Sequence, residues 1–248
     1  MKGHKGGFLL GDGGEAAARG KGNLVLLSGG LDSAVNLLLA LRRGGVALAL
    51  TVDYGQRAAR KERERAAALC AMHDVRHEVI EARWVARFSG DALTGSDRQL
   101  PRPGRRDLEN PAWRREAARA VWVPNRNGLL VHMGACLAEA LGIPFLVMGL
   151  NAEEGAAFPD NSPAFVREMN RALGYSTRSR VRLRSFTLHW NKEEIMRAAL
   201  RLGLPLELTW PCYNGGDLWC GKCESCLRFR AAAEALGESR RLRGLFSS

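Results

Sequence analysis

Long apolar runs are missing from this 248-residue chain, and no stretch approaches the roughly 20 residues that a membrane-spanning helix needs. Its first residues, Met1-Lys2-Gly3-His4-Lys5, lead only to a two-leucine patch at Leu9-Leu10, too short for the core of a secretion signal. A cytoplasmic location with no membrane partner is therefore expected. Lysine is also scarce. It supplies six of the 37 basic residues, so the net charge of +11 (37 − 26) is carried by arginine. Such a surface attracts phosphorylated ligands and polyanions. A GC-rich genome produces the same skew, and no arginine run is interleaved with aromatics as a nucleic-acid-binding face would be. Internal repeats and heptads are absent, which excludes solenoids and coiled coils. With 46% apolar and 25% charged residues the chain has ordinary globular composition, and its length suits one large domain with an appendage.

What is present alternates. Residues 23–27, 46–52 and 75–82 read as strands, and residues 31–43 and 57–72 as helices, the first stopping at Gly44-Gly45. Further on, 144–150 and 181–188 read as strands and 128–141, 162–173, 192–202 and 227–236 as helices. This rhythm predicts an α/β fold, a doubly wound and mostly parallel five-stranded sheet. It divides into a basic, Gly-rich tail (1–21), a main domain (22–205), a cysteine-bearing appendage (206–240) and a C-terminal tail (241–248). Between 88 and 122 the rhythm is lost among prolines and arginines. A connection that long is expected to be a lid, a binding loop or an insertion.

Directly after the first strand comes Ser28-Gly29-Gly30-Leu31-Asp32-Ser33. Two glycines let the backbone turn tightly, so that N–H groups converge on one point at a helix N-terminus, where an anion gains hydrogen bonds and the helix dipole. Ser28 and Ser33 add hydroxyls, and Asp32 can hold Mg²⁺ against a phosphate or cap the helix. No lysine of the G-x-x-x-x-G-K-[ST] type follows, which excludes a Walker loop. The plain alternative is a strand-to-helix turn with Asp32 as its cap.

Six cysteines divide unevenly. Cys70 and Cys136 stand alone in Ala-rich helical text and are expected in the core. Cys212, Cys220, Cys223 and Cys226 crowd into fifteen residues, the number of thiolates that closes a tetrahedral structural Zn²⁺ site, one per chain. An iron–sulfur cluster competes, because C-x2-C-x2-C also opens the ferredoxin run. That run expects its fourth cysteine downstream before a proline, whereas here it lies upstream as Pro211-Cys212.

The S-G-G-L-D-S hexapeptide resembles the pyrophosphate loop (PP-loop) of the ATP pyrophosphatases, which cleave ATP between its α- and β-phosphates to adenylate an acceptor. Joined to C-x7-C-x2-C-x2-C, it resembles the family of 7-cyano-7-deazaguanine (preQ0) synthases. Asp53-Tyr54-Gly55-Gln56-Arg57, Val123-Pro124-Asn125-Arg126-Asn127, Gly149-Leu150-Asn151-Ala152-Glu153, Phe158-Pro159-Asp160 and Leu206-Glu207-Leu208-Thr209-Trp210 look like that family's segments in order. The resemblance covers about residues 23–238 and implies an adenine nucleotide alpha-hydrolase-like fold, a homodimer and a ligase forming C–N bonds. The implied reaction converts 7-carboxy-7-deazaguanine, ammonia and ATP to the nitrile preQ0, through an adenylated carboxylate and an amide, for queuosine or archaeosine.

On that resemblance, Leu27, Ser28, Gly29, Gly30, Leu31, Asp32 and Ser33 hold the pyrophosphate of ATP, with Asp32 near Mg²⁺ and Asp53 and Tyr54 near the adenine. Arg126 and Asn127 face the activated carboxylate or the α-phosphate. Asn151, Glu153 and Asp160 read the base edge of the substrate. Asn127 can instead cap its helix, and Pro159-Asp160-Asn161-Ser162 can be a loop and cap. Many bacterial members carry glycine where this chain has Asn125 and cysteine where it has Asn161. Two other readings compete: a PP-loop tRNA-modifying sulfurtransferase or ligase, and a zinc-knuckle nucleic-acid-binding protein. Both require nucleic acid, which the first reading does not.

Overall fold

The computed structural model describes residues 22–95 and 97–247; the expected tail at 1–21 lies outside the described residues. In chain order the elements begin with β1 (Asn23–Leu26), α1 (Leu31–Arg42), β2 (Val46–Asp53), α2 (Ala59–Met72), β3 (His77–Glu81) and α3 (Trp84–Phe88). Next come α4 (Pro111–Ala120), α5 (Arg126–Ala140), β4 (Phe145–Val147) and α6 (Ala152–Gly155). The order closes with α7 (Pro163–Ser176), β5 (Arg182–Arg184), α8 (Lys192–Arg201) and α9 (Glu224–Ala235).

All five strands pair in parallel, in the order β3-β2-β1-β4-β5. The chain winds outward from β1 to β3, then returns to lay β4 on the other side of β1. That reversal is the switch point at which open α/β sheets bind ligands, beyond the carboxyl ends of the strands. Alternation along β1 divides the core. Val25 and Leu27 pack with α1, α2, α8 and α9, whereas Leu24 and Leu26 pack with α5 and α7. Helix α1 is central because nine of its twelve residues are buried, so it carries no solvent stripe. Gly44 and Gly45, at φ +113° and +79°, end it as expected.

Several expectations need correction. β4 and β5 are shorter than 144–150 and 181–188, because Met148 and Leu150 are buried as loop rather than strand residues. The irregular segment 88–122 contains α4, which starts at an N-cap and proline pair: Asn110 accepts from the Ala112 N–H at 2.9 Å, and Pro111 follows it. Leu93 and Leu100 of this segment belong to the core, and Arg57 donates to the carbonyls of Gly95 and Arg98. The cysteine-bearing stretch is not a separate appendage. Trp210, Cys212, Trp219 and Phe229 share one apolar cluster with Leu37 and Leu69. Residues 241–247, expected as a tail, pack onto it: Leu242 is buried, Phe246 meets Trp219 edge to face at 5.1 Å, and Ser247 donates to the Trp219 carbonyl. Cys70 is in the core as expected, but Cys136 is exposed, on the outer side of α5.

Candidate active site

A cleft of about 240 Å³ opens at the carboxyl end of β1, between the ends of β2 and β4, at the switch point. The glycine loop forms one wall. Gly30 is the N-cap of α1 and no side chain caps the helix, so its first-turn N–H groups are not taken by a capping side chain. Ser33 Oγ accepts from the Ser28 N–H and donates to the Gly30 carbonyl, which holds the loop in shape. Gly149 backs it closely: a Cβ there would lie 2.7 Å from the Ser33 nitrogen. From the other side, the Trp210 N–H donates to the Gly29 carbonyl at 2.8 Å, so the cysteine segment clamps the loop.

Asp32 leaves the first turn of α1 toward Lys192, the first residue of α8. Lys192 Nζ lies 2.9 and 2.8 Å from the two Asp32 oxygens and 3.4 Å from Glu154. The Asp32 and Lys192 side chains are 13% and 14% exposed, so little water screens the pair. Burial works against the ammonium, yet the two carboxylates raise Lys192 above the ordinary lysine range. Burial likewise raises the Asp32 carboxyl, against the pull of Lys192. Asn151 supports this group from behind: it donates to Asp32 at 2.8 Å and accepts from the Glu154 N–H at 2.8 Å. Glu153 accepts from the Lys192 N–H at 2.7 Å and pairs with Arg228 at 3.2 Å. α8 is positioned by a capping box between Asn191 and Glu194.

The opposite wall centres on Arg126. Burial opposes its charge, but Tyr54, Asp160 and Glu154 around it raise its pKa above the ordinary value. Asn127 accepts from Arg126 Nε at 3.1 Å and donates to the Asp160 carbonyl at 3.1 Å, which orients the guanidinium. Its side chain therefore does not cap α5. Burial pushes the Tyr54 phenol up to about 12 and the Glu62 carboxyl to about 7. Burial also raises the Asp160 carboxyl, against Arg126. Asn125, the α5 N-cap, stands at φ +51°, a left-handed position that asparagine and glycine tolerate.

Cys212, Cys220, Cys223 and Cys226 bring their sulfurs within 4.8 Å of one another. Tetrahedral zinc thiolates stand about 3.8 Å apart, so the four fit a metal ion. Backbone N–H groups of Asn214 and Cys220 point at Cys212 Sγ, and that of Cys223 at Cys220 Sγ, at 3.3 to 3.4 Å. Such donors stabilise thiolates. Trp210 is buried against the cluster and the loop, with Lys61 and Arg65 over its ring.

The structure brings Leu27, Ser28, Gly30, Leu31, Asp32, Ser33, Tyr54, Arg126 and Asn127 to one cleft. Asp53 is displaced, since alternation along β2 sends its side chain away from Tyr54, to Arg83 at 2.9 Å and Arg63 at 3.5 Å. Gly29 offers its carbonyl to Trp210 instead of lining the cleft. Asn151 and Glu153 are likewise set behind it, and Glu154 and Asn161 take the lining positions beside the half-buried Asp160. Lys192 and Glu62 also line the cleft and escape sequence reasoning, because each sits in an ordinary helical segment without a motif of its own. Tyr213, which belongs to the family-like segment Cys212-Tyr213-Asn214-Gly215, lines it too.

The family model described as queuosine biosynthesis protein QueC matches residues 22–237. A 7-cyano-7-deazaguanine synthase of Desulforudis audaxviator is 50% identical over 214 residues, covering 86% of this chain and 97% of that protein. Another, of Pelotomaculum thermopropionicum, is 46% identical over 87% of this chain and 97% of that protein. Among solved structures, NMN synthetase from Francisella tularensis aligns at 16% identity and a TM-score of 0.43, over 89% of this chain and 87% of that one, a distant likeness.

Proposed function

The chain belongs to the family of queuosine biosynthesis protein QueC, and from that membership we propose that it makes 7-cyano-7-deazaguanine (preQ0) from 7-carboxy-7-deazaguanine, ammonia and ATP. The observation that carries this reading is the convergence, in one cleft, of an uncapped helix N-terminus, Lys192 and Arg126. A free carboxylate is a poor electrophile because ammonia cannot expel oxide from it. Transfer of AMP creates a leaving group, and a second activation of the amide oxygen allows dehydration to the nitrile.

Each wall then has a task. The uncapped first-turn N–H groups of α1 and the Ser28 hydroxyl receive the pyrophosphate, with Gly30 and Ser33 shaping the loop that presents them. Mg²⁺ bound with ATP would supply charge neutralisation there, and Asp32 and Glu154, the carboxylates that share Lys192, would hold it. Lys192 stabilises the negative charge that develops as pyrophosphate departs. Arg126, oriented by Asn127, holds the acid end of the substrate, with Asp160 and Asn161 beside it. Cys212, Cys220, Cys223 and Cys226 would hold Zn²⁺, which supplies structure and no chemistry, since four sulfurs leave no open position.

The test incubates the purified protein with 7-carboxy-7-deazaguanine, MgATP and ammonium and resolves the products by mass. Appearance of preQ0, lost on Asp32→Ala, is expected. Amide alone would limit the enzyme to the first half of the reaction. No turnover together with salt-dependent tRNA binding would move the acceptor onto RNA.

A further inference from the structure

Amination of an activated carboxylate creates a proton that must leave. When ammonia adds to the carbonyl carbon, the adduct carries a cationic nitrogen, and the neutral amide forms only once that nitrogen is deprotonated. Most bases in the cleft are already engaged. Asp32 and Glu154 share Lys192, Asp160 accepts from Asn161 and stands beside the cleft rather than in its lining, and Tyr54 is a phenol held in its neutral form.

Glu62 differs from all of these. It sits in the first turn of α2, and its carbonyl backs Gly29 of the glycine loop, where a Cβ would lie 3.0 Å away. Gln56 fixes one carboxylate oxygen, donating to Oε2 at 2.8 Å while its own carbonyl accepts from the Tyr54 N–H at 2.9 Å. The other oxygen, Oε1, takes no hydrogen bond from any described residue, and Glu62 lines the cleft with Arg126. A carboxylate is thus held in one orientation with a lone pair left over, on the wall that carries the guanidinium proposed to hold the acid.

We propose that Glu62 is the proton acceptor for the amination carried out in this cleft, an inference that rests on the function proposed above. In the step, the nitrogen lone pair forms the C–N bond and the bond from carbon to the AMP oxygen breaks. AMP departs with the bonding pair, and the surplus proton on nitrogen passes to Glu62 Oε1 and from there to solvent. The groups facing Glu62 suit the task. Burial is the largest influence and raises the carboxyl to about 7, Asp53 at the end of β2 adds to this, and Gln56 and Arg126 oppose it. Tyr54 faces it as a neutral phenol. A base of that strength both accepts and returns a proton near neutrality.

Glu62→Gln tests the assignment, because the amide oxygen still accepts from Gln56 while the proton acceptor is gone. Two rates are measured with 7-carboxy-7-deazaguanine and MgATP: hydroxamate formation with hydroxylamine, and amide plus nitrile formation with ammonium. The hydroxylamine adduct is far more acidic and loses its proton to water unaided, so its rate reports adenylation. The expected result is a fall of no more than about threefold with hydroxylamine and on the order of 100-fold with ammonium. The acidic limb near pH 7, in rates corrected for free ammonia, is expected to vanish as well. Glu62→Asp, which keeps a carboxylate, is expected to recover part of the ammonium rate. An equal fall in both rates would reduce Glu62 to a prop for Gln56, and an unchanged ammonium rate would remove it from the reaction; either overturns the proposal. Wild-type protein inert toward both nucleophiles would overturn the amination reading itself, and this inference with it, before any variant is made.

Discussion

Asp32 and Lys192 stand 160 residues apart in sequence and 2.8 Å apart in space, with Glu154 close enough to share the ammonium. Removing the lysine would leave two carboxylates facing each other in a poorly hydrated place, and breaking a buried pair from one side typically costs about 3–5 kcal/mol. Lys192→Met is therefore expected to lower unfolding stability by about 3 kcal/mol in urea titrations. Asp32→Asn in the same chain should return more than half of that loss, because the uncompensated charge goes with it. If the double variant proves no more stable than the single one, the loss comes from packing of the lysine stem rather than from charge. Asn125 makes the same point about local chemistry, since its left-handed backbone at φ +51° favours asparagine or glycine over branched and bulky residues, whatever the ligand.

At the scale of elements, the loop between β1 and α1 is shaped by its neighbours as much as by its own glycines. The start of the β4–α6 connection presses on it at Gly149, and Trp210 holds it at Gly29. A methyl group at position 149 would meet the Ser33 nitrogen at 2.7 Å and the Asp32 carbonyl carbon at 2.8 Å, both backbone atoms that cannot turn aside. Gly149→Ala is accordingly expected to cost about 1–3 kcal/mol and to weaken ATP binding at least tenfold in calorimetry. Unchanged affinity would mean that the loop moves freely when nucleotide arrives. The α8 start has the same composite character. Asn191 and Glu194 cap each other, whereas the Lys192 N–H is satisfied by Glu153 from α6, so the lysine is placed by two elements at once.

Across the whole molecule, the four cysteines belong to the core that also contains α1 and α2. A metal held there would stabilise the glycine loop through Trp210, whose N–H donates to the Gly29 carbonyl, as well as its own segment. Metal analysis is expected to return one zinc per chain. Its removal by a chelator is expected to lower Tm by more than 10 °C in one cooperative transition, since structural zinc contributes on the order of 10 kcal/mol. A separate low-temperature transition, with nucleotide binding intact, would instead make the segment an independent appendage.

How much of this was legible in the sequence varied with the range of the interaction. Period-2 and period-3.6 patterns made the sheet and most helices readable, while α4 was hidden because its Asn110-Pro111 start signal lies among other prolines and arginines. The glycine loop and the cysteine cluster were readable because each is a local chemical requirement written in contiguous residues: tight turns need glycine, and metals need thiolates at short spacing. Lys192, Glu62 and the retreat of Asp53, Asn151 and Glu153 from the cleft were not. Lys192 occupies an ordinary first helical position, and its partner is reached only when α8 packs on α1. Whether Glu153 or Glu154 lines the cleft depends on the rotation of a single helical turn. Sequence alone thus determined the strand order's raw material, the tight glycine loop and the four-cysteine cluster, since these follow from covalent geometry and short-range spacing. The tertiary structure alone decided which charges meet, because contacts between elements distant in the chain are set by packing, which no local pattern encodes.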